Sequence, residues 1–586
     1  MKAYLNRTCS FLLLLAMIAI TGCRKVDAEG FSPDDPDLSF KTETMEVGSE
    51  ATELEIEIKS NLPWRVKSDA DWLSFVSANG TGNGTFKISV AKNKTTIART
   101  AEISAWVTDG YKKVLKITQL AGDAPPDFTR HFYVRANGSS IADGLSWQQA
   151  TTLDNALDQA NDGDFIYVAA GTYKPGTTLS NGTVTDAKEN TFEIRTNVQI
   201  SGGYAENAQT GDQPNPQLYP TILSGNLGSS KARHVVAITA PLADGKKVVL
   251  RGLTIKEGEA GGTGSVVING ASFSRAHGGG MIIGNTLAEI ENCNIINNTT
   301  NNHAPGLYVT ERAVLTLKNC NISGNTGNIA ASNGGGIWND GSTIYMYNTS
   351  VNGNRVGGVG AGVYAIHTTR PSVTQMFNVT ISNNVTGIYG ANSAAAGYYG
   401  RERSEGLMLN CTVSGNAAGG NAAGGGIVLY GSAKLDVINS TITNNSGAVN
   451  ATTAGGSGIN VTTTGTNVLN LYNSIVSGNK GAFGQIVGTI TTKSAVAIGD
   501  QVYDNNEALV PNAVFDAAIL GPLANNGGNT QTVLLLNNTN PATQYGMSLL
   551  QLQLLAIKQQ LDDSIITKDQ RGQDRKGKTT MGSTVN

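Results

Sequence analysis

Between Asn292 and Asn479 the polar and apolar positions follow one template. An Asn, two residues, an Ile or Val, two residues and a second Asn recur seven times. The apolar position is Ile295, Ile322, Val351, Ile381, Val413, Ile442 and Val476, and the flanking pairs run from Asn292/Asn298 to Asn473/Asn479. The phrase keeps its length while successive copies lie 27, 29, 30, 32, 29 and 34 residues apart. A fixed phrase on a drifting period predicts stacked strand-and-turn units joined by variable loops, which is a solenoid. A Gly followed by an apolar residue precedes each phrase, from Gly280-Met281 to Gly458-Ile459. Each coil should therefore hold at least two strands and two tight corners. Both Asn columns are expected at corners, where Asn tolerates the left-handed region, with their amides bonded from coil to coil. The Ile/Val column should face inward. So should the column two residues before it: Cys293, Cys320, Thr349, Val379, Cys411, Ser440 and Ser474.

Other periods flank this array. Leu54, Ile56 and Ile58 alternate with Glu53, Glu55 and Glu57, which predicts a half-buried strand. Further strands are expected at 64–66, 86–90, 103–107 and 114–118, with turns at 79–84 and Asp109-Gly110. Several short strands at this spacing predict a sandwich. Leu153, Ala156, Leu157 and Ala160 share one helical face, with Thr152 as N-cap. A helix there would cover the open end of the first coil. Residues 547–566 are apolar-rich and expected to be helical.

Composition narrows the class. Gly is 71 of 586 residues, which is turn chemistry, and the net charge of −3 argues against a nucleic-acid partner. Beyond Cys9 and Cys23 only three cysteines remain, Cys293, Cys320 and Cys411. They read as small buried hydrophobes; a Cys293–Cys320 bridge stays open, since the two occupy one column in adjacent coils. Residues 1–23 read as a targeting segment, with Lys2 and Arg7 before the apolar run 11–20.

Particular phrases carry resemblances. Ile20-Thr21-Gly22-Cys23 resembles a bacterial lipobox, which implies a lipoprotein anchored through Cys23 in the cell envelope, on either the periplasmic or the outer side. Asn61-Leu62-Pro63-Trp64, Asp71-Trp72-Leu73, Gly80 to Gly84, Asn93, Arg99-Thr100-Ala101 and Thr118-Gln119 are similar to the BACON domain of Bacteroidetes surface proteins. This implies an immunoglobulin-like sandwich that binds glycans or acts as a spacer, with Trp64 and Trp72 either stacking on sugars or filling the core. Gly163 to Val168, Gly171-Thr172-Tyr173, Ile200 to Tyr204, Pro220 to Asn226, His234-Val235-Val236 and Leu250 to Ile255 resemble the start of right-handed parallel β-helix proteins of the pectin-lyase-like kind. Leu520 to Thr532, with Asp569 to Arg575, resembles the choice-of-anchor Q segment that closes such proteins, with Asp569, Arg571, Asp574 and Arg575 as an ion-paired cap. The organisation is then 1–23 signal peptide, 24–37 tether, 38–122 sandwich, 123–130 linker, 131–510 β-helix with helical cap, and 511–586 capping segment: an all-β chain.

The chemistry is expected where the rhythm breaks. The interval from Gly362 to Gly397 is the longest, at 35 residues, and the stretch 364–405 is the densest polar and aromatic patch. Tyr364, His367, Arg370, Tyr398, Tyr399, Arg401 and Arg403 are the candidate ligand-binding residues, since aromatic faces and guanidinium groups suit sugar rings and their hydroxyls or carboxylates. Glu402 and Glu405 are the catalytic alternative, as the general acid of a polysaccharide lyase or glycoside hydrolase. No Asp-Asp pair occurs between 261 and 480, and the Gly-His-Gly and Arg-Ile-Lys phrases of polygalacturonases are missing; Ala276-His277-Gly278 only grazes the first. The expected function is a monomeric, non-enzymatic envelope lipoprotein that binds polysaccharide or acts as an adhesin, with no metal and no cofactor.

Overall fold

The structure, a computed structural model, describes residues 35–585 except 71, 94–97, 109–110, 122–128, 180–185, 391–392, 420–423, 448–455, 576 and 578–579. The expected targeting segment with Cys23, most of the tether, residues 123–128 of the linker and the Asp109-Gly110 turn lie outside the described residues. Contacts divide the chain into Met1–Phe128 and Thr129–Asn586.

The first unit is a two-sheet sandwich. Leu38–Phe40, Thr52–Ser60, Gly84–Val90 and Leu73–Phe75 form one sheet. Thr44–Val47, Tyr111–Gln119, Arg99–Thr108, Pro63–Lys67 and Asn79–Thr81 form the other. Ile56, Ile58, Phe86, Ile88, Ile103, Leu115 and Ile117 fill the space between the sheets. Trp64 belongs to this core: it is 3% exposed, and its indole N–H donates to the Gly82 carbonyl at 2.9 Å. Gly80 is required here, because a Cβ would stand 2.3 Å from the Trp64 ring. Trp72 is half-buried, with the Arg99 guanidinium 4.5 Å above its ring.

The second unit is a parallel β-helix with three strands per coil, one more than the sequence required. A representative coil is Leu307–Thr310, Val314–Lys318 and Asn321–Ser323. The first two strand columns merge into a twenty-stranded sheet, and the third forms a thirteen-stranded sheet. In-register parallel pairing repeats along the rod, as in Ile295↔Ile322, Ile322↔Val351 and Val351↔Ile381. The helix Leu153–Gln159 covers the first coil, with Thr152 accepting from the Asn155 N–H and Leu153, Ala156 and Leu157 buried. At the far end the strands Gln501–Tyr503 and Leu509–Val514 pair antiparallel and end the stack.

The two Asn columns have different jobs, which corrects the expectation that both sit at left-handed corners. The first column, Asn292 to Asn473, is left-handed at all seven positions, with φ between 47° and 57°. The second column lies inside the coil and is buried. The other left-handed corner is the residue before it: Asn297, Gly324, Gly353, Asn383, Gly415, Asn444 and Gly478. From Asn325 onward each second-column side-chain oxygen accepts twice from the preceding coil. The Asn416 oxygen, for example, takes the Asn384 backbone N–H at 3.1 Å and the Asn384 amide at 2.9 Å. The ladder runs unbroken from Asn298 to Asn479 and ends on Gln485. Cys293, Cys320 and Cys411 are free and buried, their thiols directed at backbone carbonyls, as at 3.3 Å from Cys320 to Ile290.

The C-terminal segment also departs from expectation. It straps the side of the rod rather than closing its end. Asn529 bonds Asn319, Gln570 bonds Thr380 and Thr412, Ser583 bonds Thr441, and Asn473 donates to the Thr580 carbonyl. Leu552, Leu555, Ile566 and Met581 seal Phe377, Leu409, Ile438 and Tyr472. Within this segment Arg571 pairs with the buried Asp569 at 2.7 Å, and Lys568 with Asp574 at 3.3 Å.

Candidate functional site

Ordinary coils turn sharply between their first two strands. Glu311 and Arg312 are left-handed there, as are Gly341, and Gly431 with Ser432. Two coils do not separate their strands at this corner: Val363–Phe377 and Tyr398–Leu409 run through it as single strands. The register shifts between His367↔Glu402 and Ser372↔Ser404, so residues 368–371 bulge opposite Arg403 alone. A bulge of this kind re-aims side chains. Here it throws His367 and Arg370 back over the preceding coil.

The result is a charged ridge along the corner. The Arg370 guanidinium donates to the Gly341 carbonyl at 3.0 Å and reaches Glu311, two coils away, at 3.5 Å. Gly341 allows this twice over. Its φ is +68°, and a Cβ would meet His367 at 2.1 Å and Arg370 at 2.3 Å. The His367 Nδ1 accepts from the Thr369 N–H at 3.2 Å. Asp340 accepts the Tyr308 hydroxyl at 2.6 Å. Further along, Arg401 pairs with Glu402 at 3.1 Å and lies 5.2 Å above the Tyr430 ring. Glu405 faces Lys434 at 3.8 Å, and Arg403 is exposed.

The tyrosines fare differently from the sequence expectation. Tyr398 points into the solenoid core and is 0% exposed, because adjacent residues on a strand face opposite sides. It is not available to a ligand. Tyr364 and Tyr399 point outward but are only 3% and 7% exposed. They stack at 5.4 Å and 14°, continue the column of Tyr308 and Trp338, and lie beneath Val359, Ala394 and Ala395 of the coil loops. A stacking platform needs an open face, and the loops take it. Of the seven candidate binding residues the structure therefore leaves His367, Arg370, Arg401 and Arg403 at the surface. Glu311, Asp340, Gly341 and Tyr430 join them from neighbouring coils. Each lies about one or two coil periods along the chain from the patch, so the period itself was the signal that could have found them.

Of the two catalytic candidates, Glu402 is held by Arg401 and Glu405 lies toward Lys434.

The aromatic column also contains a histidine pair. His277 stacks on Trp338 at 5.2 Å and lies 5.3 Å from His303. Burial, then the nearby His303 and His234, push the His277 pKa down to about 4; burial pushes His234 down to about 4 as well, against the opposing hydrogen bond to Gly278. Both are neutral in the fold and titrate near 6.5 when unfolded, so the unfolded chain binds more protons below that pH. Stability should fall as pH drops from about 6.5 to 4, by on the order of 1 kcal/mol per pH unit for each histidine. Chemical denaturation of wild type and His277→Gln across this range checks it; equal slopes would sink the assignment.

With this geometry in hand, comparisons add one family. Residues 62–120 match the family model described as "BACON: Putative binding domain, N-terminal". The chain carries a BACON domain. No curated protein sequence matches this chain. A crystal structure of pectate lyase Pel9A aligns with 72% of this chain and 92% of that chain, at 14% identity and a TM-score of 0.42. The Bacteroides ovatus GH5 xyloglucanase in complex with a XXXG heptasaccharide aligns with 38% of this chain and 46% of that one, at 15% identity and a TM-score of 0.15. Neither likeness carries an argument about chemistry.

Proposed function

We propose that this protein is a non-enzymatic, lipid-anchored envelope protein that binds glycans, with its β-helix presenting the corner ridge to an acidic saccharide. The observation that carries the reading is the bulge. On a rod with few charges it gathers Arg370, Arg401 and Arg403 with the His367 imidazole on two consecutive coils. Guanidinium groups on two adjacent coils suit the carboxylates of a uronic-acid chain, which they bind in a bidentate fork. The BACON domain, whose family description is that of a binding module, supports a second contact. The lipobox-like Ile20 to Cys23 supports an envelope location; Cys23→Ala should release the protein from membranes on fractionation.

A glycan array with acidic and neutral members, followed by reducing-sugar and unsaturated-product assays, tests the function. Binding of acidic members without product is expected. The double variant Arg370→Ala/Arg401→Ala should weaken it about tenfold or more. Turnover of any bound glycan would overturn the non-enzymatic reading in favour of a lyase or hydrolase, and unchanged binding by the double variant would remove the ridge from it.

A further inference from the structure

The outer face of the first coils carries a second surface, and nothing in the ridge uses it. His131 and Tyr133 on His131–Val134 pair in register with Phe165 and Tyr167 on Phe165–Ala169. The alternate residues Phe132, Val134, Ile166 and Val168 are at most 1% exposed and fill the core, so the four rings stand outward. His131 stacks on Phe165 at 5.3 Å and 16°, and Tyr167 lies 5.4 Å from both Tyr133 and Tyr204. Trp147 closes the back, 5.0 Å from Tyr133. The rings of His131, Tyr133 and Tyr167 floor an open groove of about 550 Å³, and the turn 209–213 makes its wall. That wall is braced, with the Gln209 N–H donating to Asp212 at 2.8 Å and Gln148 reaching Gln209 at 3.2 Å.

Stacking along the strand column does not by itself demand these rings. In later coils the same outward positions hold Arg251, Glu289, Glu291, Thr316 and Lys318, which pair with one another or with nearby lysines. Rings return to these columns at Tyr345, Tyr347 and Phe377, but there the C-terminal segment packs against them; at the capped end the rings face the groove beside the turn 209–213. Partly exposed aromatic rings facing amide, hydroxyl and carboxylate groups complement a pyranose, which presents C–H faces to rings and hydroxyls to polar atoms. Among the described residues no Lys or Arg lines the groove, and Asp212 does; a uronate would meet a like charge there.

We infer that the groove over the first coils is a binding site for a neutral oligosaccharide, separate from the charged ridge; this rests on the glycan-binding reading of the whole chain. Calorimetric titration of the full chain with cellohexaose, xylohexaose, mannohexaose and hexagalacturonate tests it. At least one neutral hexasaccharide should bind, with affinity reduced about tenfold or more by Tyr167→Ala and measurably by Gln213→Ala, an exposed wall residue whose loss leaves the fold intact. Neutral binding that survives both groove variants, or that is lost only in the ridge variant Arg370→Ala/Arg401→Ala, overturns the groove while glycan binding stands. Failure of the wild type to bind any of the four probes overturns both.

Discussion

Asn384→Ala is expected to cost about 3–6 kcal/mol, more than the same change at the half-buried first-column Asn348 of the preceding coil. The Asn384 side-chain oxygen accepts the Asn354 backbone N–H and the Asn354 amide, both at 3.0 Å, and its own amide donates to the Val351 carbonyl at 3.0 Å. Removing it strands these buried groups with no water to replace the partner, at about 1–3 kcal/mol each. Asn348→Ala, in the first column, should cost only about 1–2 kcal/mol, the strain of a left-handed alanine with one part-buried bond from the Asn378 amide, and Asn348→Gly less still. Urea unfolding of the three variants gives the comparison. A cost for Asn384→Ala no larger than that for Asn348→Ala would show that the interior ladder does not hold the coils together.

The second large effect concerns the strap. Arg575 is 1% exposed, and its guanidinium donates to the carbonyls of Lys568, Thr580 and Gly582 at 3.0, 3.1 and 2.7 Å. Burial pushes its pKa down to about 10, so it remains charged at neutral pH. Arg575→Ala removes the guanidinium from the Lys568 and Gly582 carbonyls, while the Thr580 carbonyl keeps Asn473, and should cost about 2–5 kcal/mol. Because Leu552, Leu555 and Met581 seal Phe377, Leu409 and Tyr472, loosening the strap exposes a continuous apolar face of the rod. Limited trypsin digestion should then release a C-terminal fragment, with increased binding of an apolar dye. Arg575→Lys should rescue little, since one ammonium cannot span three carbonyls as a planar fork does. A C-terminal segment as protected in Arg575→Ala as in wild type would mean that the sealed hydrophobes alone hold the strap.

Much of the fold was legible because stacking copies local chemistry. The Ile/Val column and the small-residue column with its three cysteines read as core from spacing, and the structure places them there. The capping helix was likewise visible in its apolar face and its Thr152 cap. The ridge was legible only as an irregularity. The insertion between Gly362 and Gly397 marked the place, and His367, Arg370, Arg401 and Arg403 do reach its surface. The three tyrosines were misjudged for two separate reasons. Tyr398 follows strand alternation into the core, which the sequence could have shown. Tyr364 and Tyr399 obey alternation and point outward, but loops contributed by Val359, Ala394 and Ala395 close over them.

By itself, then, the sequence determined what repeats: the coil, its corners, its inward columns, and the separate sandwich ahead of it. Each of these depends on residues within one period, where φ preference, alternation and side-chain size act locally. The tertiary structure alone decided what lies across coils. It set the buried, unbroken Asn ladder on the second column, and left-handed bends with single amide bonds between some neighbours on the first. It laid the C-terminal segment along the rod, brought Glu311 and Gly341 under Arg370, and joined His131, Tyr133 and Tyr167 to the turn 209–213 in one groove. Those partners are about 30 to 200 residues apart, and only the stacking of parallel strands every 4.8 Å or so brings them within reach of one another.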